Sequence, residues 1–195
     1  PDLSIRHARQ RWLPGVTGLL FGVTGILTML APLRLSEGVI VDARLVVAGL
    51  AGAYLAPAGA MLCALVLAAY RIALGGIGTG PAMVGIVLCT GIGWLWRRYR
   101  RPFSVDGRAA MADGLWLMGL GLSLAAGGML AIQTLPSDIA RMVTQRTWVA
   151  VVLVYPVGAC LLGYLLDNVH KLHLREDALE RTAHKLKDML AEACL

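Results

Sequence analysis

Long runs of apolar residues alternate with short charged segments along this chain of 195 residues. The apolar segments lie at residues 13–33, 38–54, 57–73, 80–96, 109–132 and 147–167. A helix needs about 20 mostly apolar residues to cross the hydrocarbon core of a bilayer. The pattern therefore predicts an all-α fold: a polytopic membrane protein with six transmembrane helices, followed by a polar helical tail.

Composition supports this prediction, since 57% of the residues are hydrophobic and only 15% are charged. Soluble domains are nearer half apolar and a quarter charged. The first segment, 13–33, is longer than the roughly 7–15 apolar residues of a signal peptide, so we expect it to be retained as a span. A soluble enzyme is excluded. A secreted disulfide scaffold is excluded as well, and the four cysteines contain no C-x-x-C pair that would indicate a metal site.

The basic residues behind the net charge of +6 cluster beside the apolar segments, at 6–11, 97–108 and 171–187. This distribution follows the positive-inside rule rather than forming a nucleic-acid-binding face. It predicts a cytoplasmic basic leader at 1–12, a membrane domain at 13–167 and a cytoplasmic tail at 168–195. Residues 133–146 are then expected to form an outside loop.

The tail has the leucine spacing of a coiled coil. Leu165, Leu172, Leu179 and Leu186 lie seven residues apart, as a two-helix seam requires. The spacing predicts a coiled-coil stalk that continues from span six and joins the chain into a homodimer. An amphipathic helix lying on the membrane surface is the alternative that this short pattern leaves open.

Ionisable side chains inside the spans are the strongest site candidates, because each costs about 2.5–3.5 kcal/mol at the bilayer centre. Span two carries Asp42 and Arg44, and span three carries Arg71 in its last turn. Both arginines are expected at similar depth in the outer half of the membrane. Together they would bind a carboxylate through paired N–H donors, with Asp42 orienting one of them. Alternatively, both arginines extend to the outer headgroups.

A glycine-rich segment, 74–81, follows Arg71 and leads into span four. We expect Gly75, Gly76, Gly78 and Thr79 to offer backbone contacts to an anion at the start of that helix. The spacing does not match a nucleotide-binding loop. A flexible turn with close helix packing is the alternative explanation, and the two are compatible.

The remaining polar residues suggest no chemistry. His170 and His173 are expected to be solvated residues of the tail rather than metal ligands. We find no catalytic arrangement, so the chain is expected to be neither an enzyme nor the holder of a cofactor.

Four short motifs resemble the membrane sensor domain of LytS-type receptors: D-x-R at 42–44, A-G-L at 48–50, Y-R at 70–71 and G-G-x-G at 75–78. The resemblance implies a sensor module of the bacterial inner membrane, with a histidine kinase or diguanylate cyclase following the stalk. It also implies that Arg44 and Arg71 bind a small carboxylate. Pyruvate-responsive members carry a Cys and a Ser on the next helix, whereas residues 81–85 here contain neither, which favours a larger or more apolar ligand.

The favoured interpretation is thus a receptor for a small organic anion that signals through a dimeric stalk. The main alternative is a substrate-binding membrane subunit of a transporter, against which the stalk argues. A second alternative is a ligand-free anchor that only dimerises its output domain.

Overall fold

The computed structural model describes the backbone of residues 2–30, 33–36, 39–41, 43–99 and 107–193, and the side chains of residues 13–30, 43–99 and 113–169. The helices are α1 (Asp2–Leu30), α2 (Arg44–Tyr54), α3 (Pro57–Leu74), α4 (Thr79–Tyr99), α5 (Gly107–Ile132) and α6 (Ser137–Ala193). A small antiparallel hairpin, β1 (Leu33–Ser36) and β2 (Val39–Val41), lies between α1 and α2. The prediction of an all-α polytopic membrane protein is confirmed.

The predicted number of spans is wrong by one. Within the described residues, five helical segments are long and apolar enough to cross a membrane: Leu13–Leu30, Pro57–Leu74, Thr79–Tyr99, Asp113–Ile132 and Ser137–Val169. The second predicted span, 38–54, is instead the 11-residue helix α2. At 1.5 Å per residue this helix is about 16 Å long, well short of the roughly 30 Å hydrocarbon core.

The hairpin explains the shortening. Residues 39–41 are Val, Ile and Val, β-branched side chains that favour strands, and they pair with β1 in the register Leu33↔Val41 and Arg34↔Ile40. Their apolar character extended the predicted span, although they are not helical. Helix α2 therefore begins only at Arg44.

Helix α2 forms the centre of the helical bundle. Every residue from Leu45 to Ala53 is buried, and the helix packs against α1, α3, α4 and α5. Protein surrounds it on all sides, so it does not need the length that a lipid-exposed span requires.

The closest approach in the bundle is between α2 and α4, and glycines make it possible. A Cβ on Gly93 would overlap the carbonyl oxygen of Gly49, and a Cβ on Gly52 would overlap the carbonyl oxygen of Thr90. We call this contact, of Gly49 with Gly93 and of Gly52 with Thr90, the glycine crossing. Small residues at helix crossings allow backbone-to-backbone packing in membranes.

Near the end of α2, Arg97 of α4 donates a hydrogen bond to the carbonyl oxygen of Leu55. Close by along α4, Trp96 packs edge-on against Trp116 of α5, with ring centroids 5.0 Å apart. Arginine and tryptophan together are typical of the membrane–water interface. This end of α4 therefore marks one face of the membrane domain.

Helix α6 is longer than expected, because it begins at Ser137 rather than near residue 147. The prediction of a loop over the whole of 133–146 is wrong. Asp138 lies in the first turn, where its negative carboxylate interacts favourably with the positive end of the helix dipole.

The chain divides into two units, residues 1–160 and 161–195. Side chains of the stalk leucines at 172, 179 and 186 lie outside the described residues, so the coiled coil stays a prediction.

Candidate ligand-binding site

A cavity of about 350 Å³ lies at the end of α4 opposite Arg97. It is bounded by the first turn of α2, the last turn of α3, the α3–α4 turn, the start of α4, and parts of α5 and α6. Its volume lies in the lower part of the range of about 300–1,000 Å³ seen for small-molecule sites. The cavity is therefore large enough for a small organic molecule.

Arg44 and Arg71, 27 residues apart in the sequence, both line this cavity. Arg44 is the first residue of α2, and Arg71 lies in the last turn of α3. The two helices meet in the short turn at 55–56 and run in opposite directions, so the start of one lies beside the end of the other. This local topology brings the two guanidinium groups to one space.

Arg71 is positioned for an external acceptor. Its Nε is buried and has no hydrogen bond within the described residues. Its Nη2 lies against Gly78, where a Cβ would come within 2.8 Å of it. A buried donor without an acceptor costs roughly 1–3 kcal/mol, and more when it is charged, so a bound carboxylate would relieve that cost.

Three of the other predicted site residues have different positions. Gly75 and Gly76 adopt positive φ angles of 66° and 92°, which makes them the turn that ends α3. The Gly75 N–H donates to the carbonyl oxygens of Arg71 and Ile72. Thr79 begins α4, and its buried Oγ1 makes no hydrogen bond to any residue that the structure describes. None of these three lines the cavity, whereas Gly78 does.

Asp42 lies outside the described residues, so the structure gives no position for its carboxylate. Among the described residues that line the cavity there are two arginines and no acidic side chain. The described wall is consequently cationic on the side of Arg44 and Arg71. It is suited to an anion.

The opposite wall, which α5 and α6 provide, was not predicted from the sequence. The α6 residues on it recur at every fourth position: Ile139, Val143, Thr147, Val151 and Tyr155. Residues four apart lie on one face of a helix, so these five side chains form a single stripe. A usable signal was present, because Thr147 and Tyr155 are polar residues on one face of an otherwise apolar span. Both are buried, with 7% and 4% of their surface exposed.

The polar groups that line the cavity among the described residues are suited to binding a ligand. Thr147 donates its hydroxyl to the Val143 carbonyl oxygen at 2.8 Å, an ordinary bond within a helix. Across the part of the chain that the structure describes, no group of three His, Cys, Asp or Glu side chains comes together as a metal site. The fold and cavity define a multi-pass membrane protein with a ligand-sized cationic site.

Comparison with known proteins identifies the family. The family model described as the 5TMR of 5TMR-LYT, a five-transmembrane receptor domain, matches residues 4–169. The chain belongs to this family, which confirms the resemblance to LytS-type receptors. It is accordingly a membrane sensor domain of the kind found in signalling proteins. No curated protein and no solved structure matches the chain.

Proposed function

We propose that this domain is a receptor for a small organic anion with a carboxylate group. Arg44 and Arg71 bind the carboxylate, and Gly78 leaves room for the guanidinium group of Arg71. The supporting observation is that these arginines line one ligand-sized cavity in a protein of a sensor family. A ligand-free anchor would have no need of a cationic cavity of this size, so the observation favours a receptor.

The signal passes through α6, the helix that supplies the opposite wall and continues to Ala193. A ligand shifts a conformational equilibrium only if it binds one state more tightly than the other. A ligand held between the arginine helices and α6 meets this condition when the two walls move relative to each other. Pro156 lies one residue beyond the cavity stripe and removes one helix hydrogen bond, which makes a bend there less costly.

The output is a diguanylate cyclase or histidine kinase that follows residue 195, regulated through a homodimeric stalk. Arg97 and Arg98 in the last turn of α4 support a cytoplasmic location for that end by the positive-inside rule. The cavity then opens toward the periplasm of a bacterial inner membrane. Helix α2 runs inside the bundle from the cavity to the Arg97 end and adds a sixth passage to the five spans, so both ends of the chain are in the cytoplasm. The ligand reaches it without crossing the membrane.

The test is the thermal stability of the purified domain in detergent, measured against a panel of carboxylates. We expect a concentration-dependent rise in melting temperature, since a ligand that binds only the folded state stabilises it. Arg71→Gln should abolish the rise. Arg141→Gln is the matched control, because Arg141 is an exposed arginine on α6 that does not line the cavity.

Two results would contradict the proposal. The first is that no carboxylate in the panel raises the melting temperature. The second is that Arg71→Gln and Arg141→Gln show the same rise in melting temperature. Uptake of the bound carboxylate into proteoliposomes would instead support the transporter alternative.

A further inference from the structure

The cavity is elongated along α6. Its α6 stripe extends over seventeen residues, from Ile139 to Tyr155, which is a rise of about 24 Å at 1.5 Å per residue. The side chain of Tyr155 points back toward the start of the helix, which shortens this length by part of one turn. Even so, the stripe is much longer than a two- or three-carbon acid.

Two parts of the cavity wall differ in chemistry. Arg71 and Gly78 line it at the α3–α4 turn. Another part of the wall is formed by Leu45, Gly128 and Tyr155, with the side chains of Leu45 and Tyr155 close to Gly128. A Cβ on Gly128 would lie 3.2 Å from Leu45 Cδ1 and 3.5 Å from Tyr155 Cε2. The polar head and the apolar body of a ligand would therefore lie at different places in the cavity.

Along α5 and α6 the wall is mostly apolar, with Val143, Val151, Ala131 and Ile132 lining the space. The hydroxyl of Thr147, between the two valines, donates to the Val143 carbonyl oxygen. Burying apolar ligand surface against such a wall is favourable. A second carboxylate placed there would lose its hydration and meet no arginine, which is costly. The wall thus favours a ligand with a single charged group.

We propose that the ligand is an amphipathic monocarboxylate, with its carboxylate on Arg44 and Arg71 and an extended apolar body along the α5–α6 wall. This inference rests on the proposed function and specifies its ligand class. Val151 is the main residue that determines specificity for the apolar body, because it is the buried aliphatic side chain between Thr147 and Tyr155 on the wall.

The experiment is calorimetric titration of the detergent-purified domain with acetate, butyrate, hexanoate, octanoate and the six-carbon diacid adipate. The same titrations of Arg71→Gln give the background from partitioning into detergent. We expect the Arg71-dependent affinity to rise about fourfold for each added methylene until the cavity is filled. Adipate should bind at least tenfold more weakly than hexanoate.

Equal Arg71-dependent affinity for acetate and octanoate would overturn this inference while leaving the proposed function intact. So would adipate binding as tightly as hexanoate. If no carboxylate binds in an Arg71-dependent manner, both proposals fail.

Substitutions on adjacent valines of α6 separate the apolar wall from general effects on the helix. Val151→Phe should weaken octanoate binding at least tenfold and change acetate binding by less than twofold. Val152→Phe is the control, because Val152 is 40% exposed and does not line the cavity. If Val151→Phe does not fold, Val143→Phe tests the same wall nearer the start of α6. Equal loss of acetate and octanoate binding, or no loss of either, would overturn the role of the wall.

Discussion

The glycine crossing and the cavity lie at different heights on the same pair of helices, α2 and α4. The two regions differ in what lies beside their glycines. At the crossing, backbone atoms of the facing helix fill the positions where Gly52 and Gly93 lack a side chain. At the cavity, side chains lie beside the glycines instead: Arg71 beside Gly78, and Leu45 and Tyr155 beside Gly128. One region is a rigid frame of backbone against backbone, and in the other the glycines make room for side chains that line the cavity.

This difference separates stability from binding. Added volume at the crossing meets backbone atoms, which cannot move without shifting a whole helix. Added volume at Gly78 meets Nη2 of Arg71, the far end of a flexible side chain. We therefore expect substitutions at the crossing to change unfolding and substitutions at the cavity to change ligand affinity.

The largest effect is expected from Gly93→Ala. The new methyl group overlaps the carbonyl oxygen of Gly49, so α2 and α4 must separate, at a cost of about 3 kcal/mol. The measurement is the thermal unfolding midpoint in detergent. Gly91→Ala is the matched control on the same helix, because nothing lies within 4 Å of its Cβ position. Equal melting temperatures for the two variants would show that the crossing is looser than described.

Most of the fold could be predicted from the sequence, but the second span could not. Five of the six predicted spans correspond to long helices, since runs of about 20 apolar residues have few other structures open to them. The prediction of span two was wrong because residues 39–41 are apolar, and apolar residues occur in strands as well as in membrane helices. These residues pair with Leu33–Ser36. A hydropathy profile gives no information about such pairing between two segments.

The site was predictable to a similar extent. Arg44 and Arg71 stand out as cations within apolar segments, and the structure brings both to one cavity. The part of the wall formed by Val143 and Val151 could not be derived in the same way. These residues are ordinary for a membrane helix, and only the packing of α5 and α6 against the rest turns their face toward the arginines.

A smaller effect, confined to binding, is expected from Gly78→Ala. Its Cβ would come within 2.8 Å of Arg71 Nη2, so the guanidinium group must rotate away from its position in the cavity. We expect about tenfold weaker carboxylate binding, or about 1.4 kcal/mol, with an unchanged melting temperature of the unliganded domain. Gly80→Ala is the control, since its Cβ position has no neighbour within 4 Å. A large loss of stability in Gly78→Ala would place this glycine in the rigid frame instead.

The smallest effect is expected at the far end of α2, from Arg97→Gln. Arg97 donates to the carbonyl oxygen of Leu55, just past the end of α2, where backbone carbonyls have no partner within the helix. The positive charge of Arg97 also interacts favourably with the negative end of the α2 dipole. Because Arg97 is exposed, the loss should be only about 1 kcal/mol, measured as a lower melting temperature. Arg98→Gln removes the neighbouring exposed arginine and should have no effect. Carboxylate affinity should be the same in both variants, because the frame and the cavity act separately; a weaker affinity in Arg97→Gln alone would mean that the inner end of α2 controls the position of Arg44.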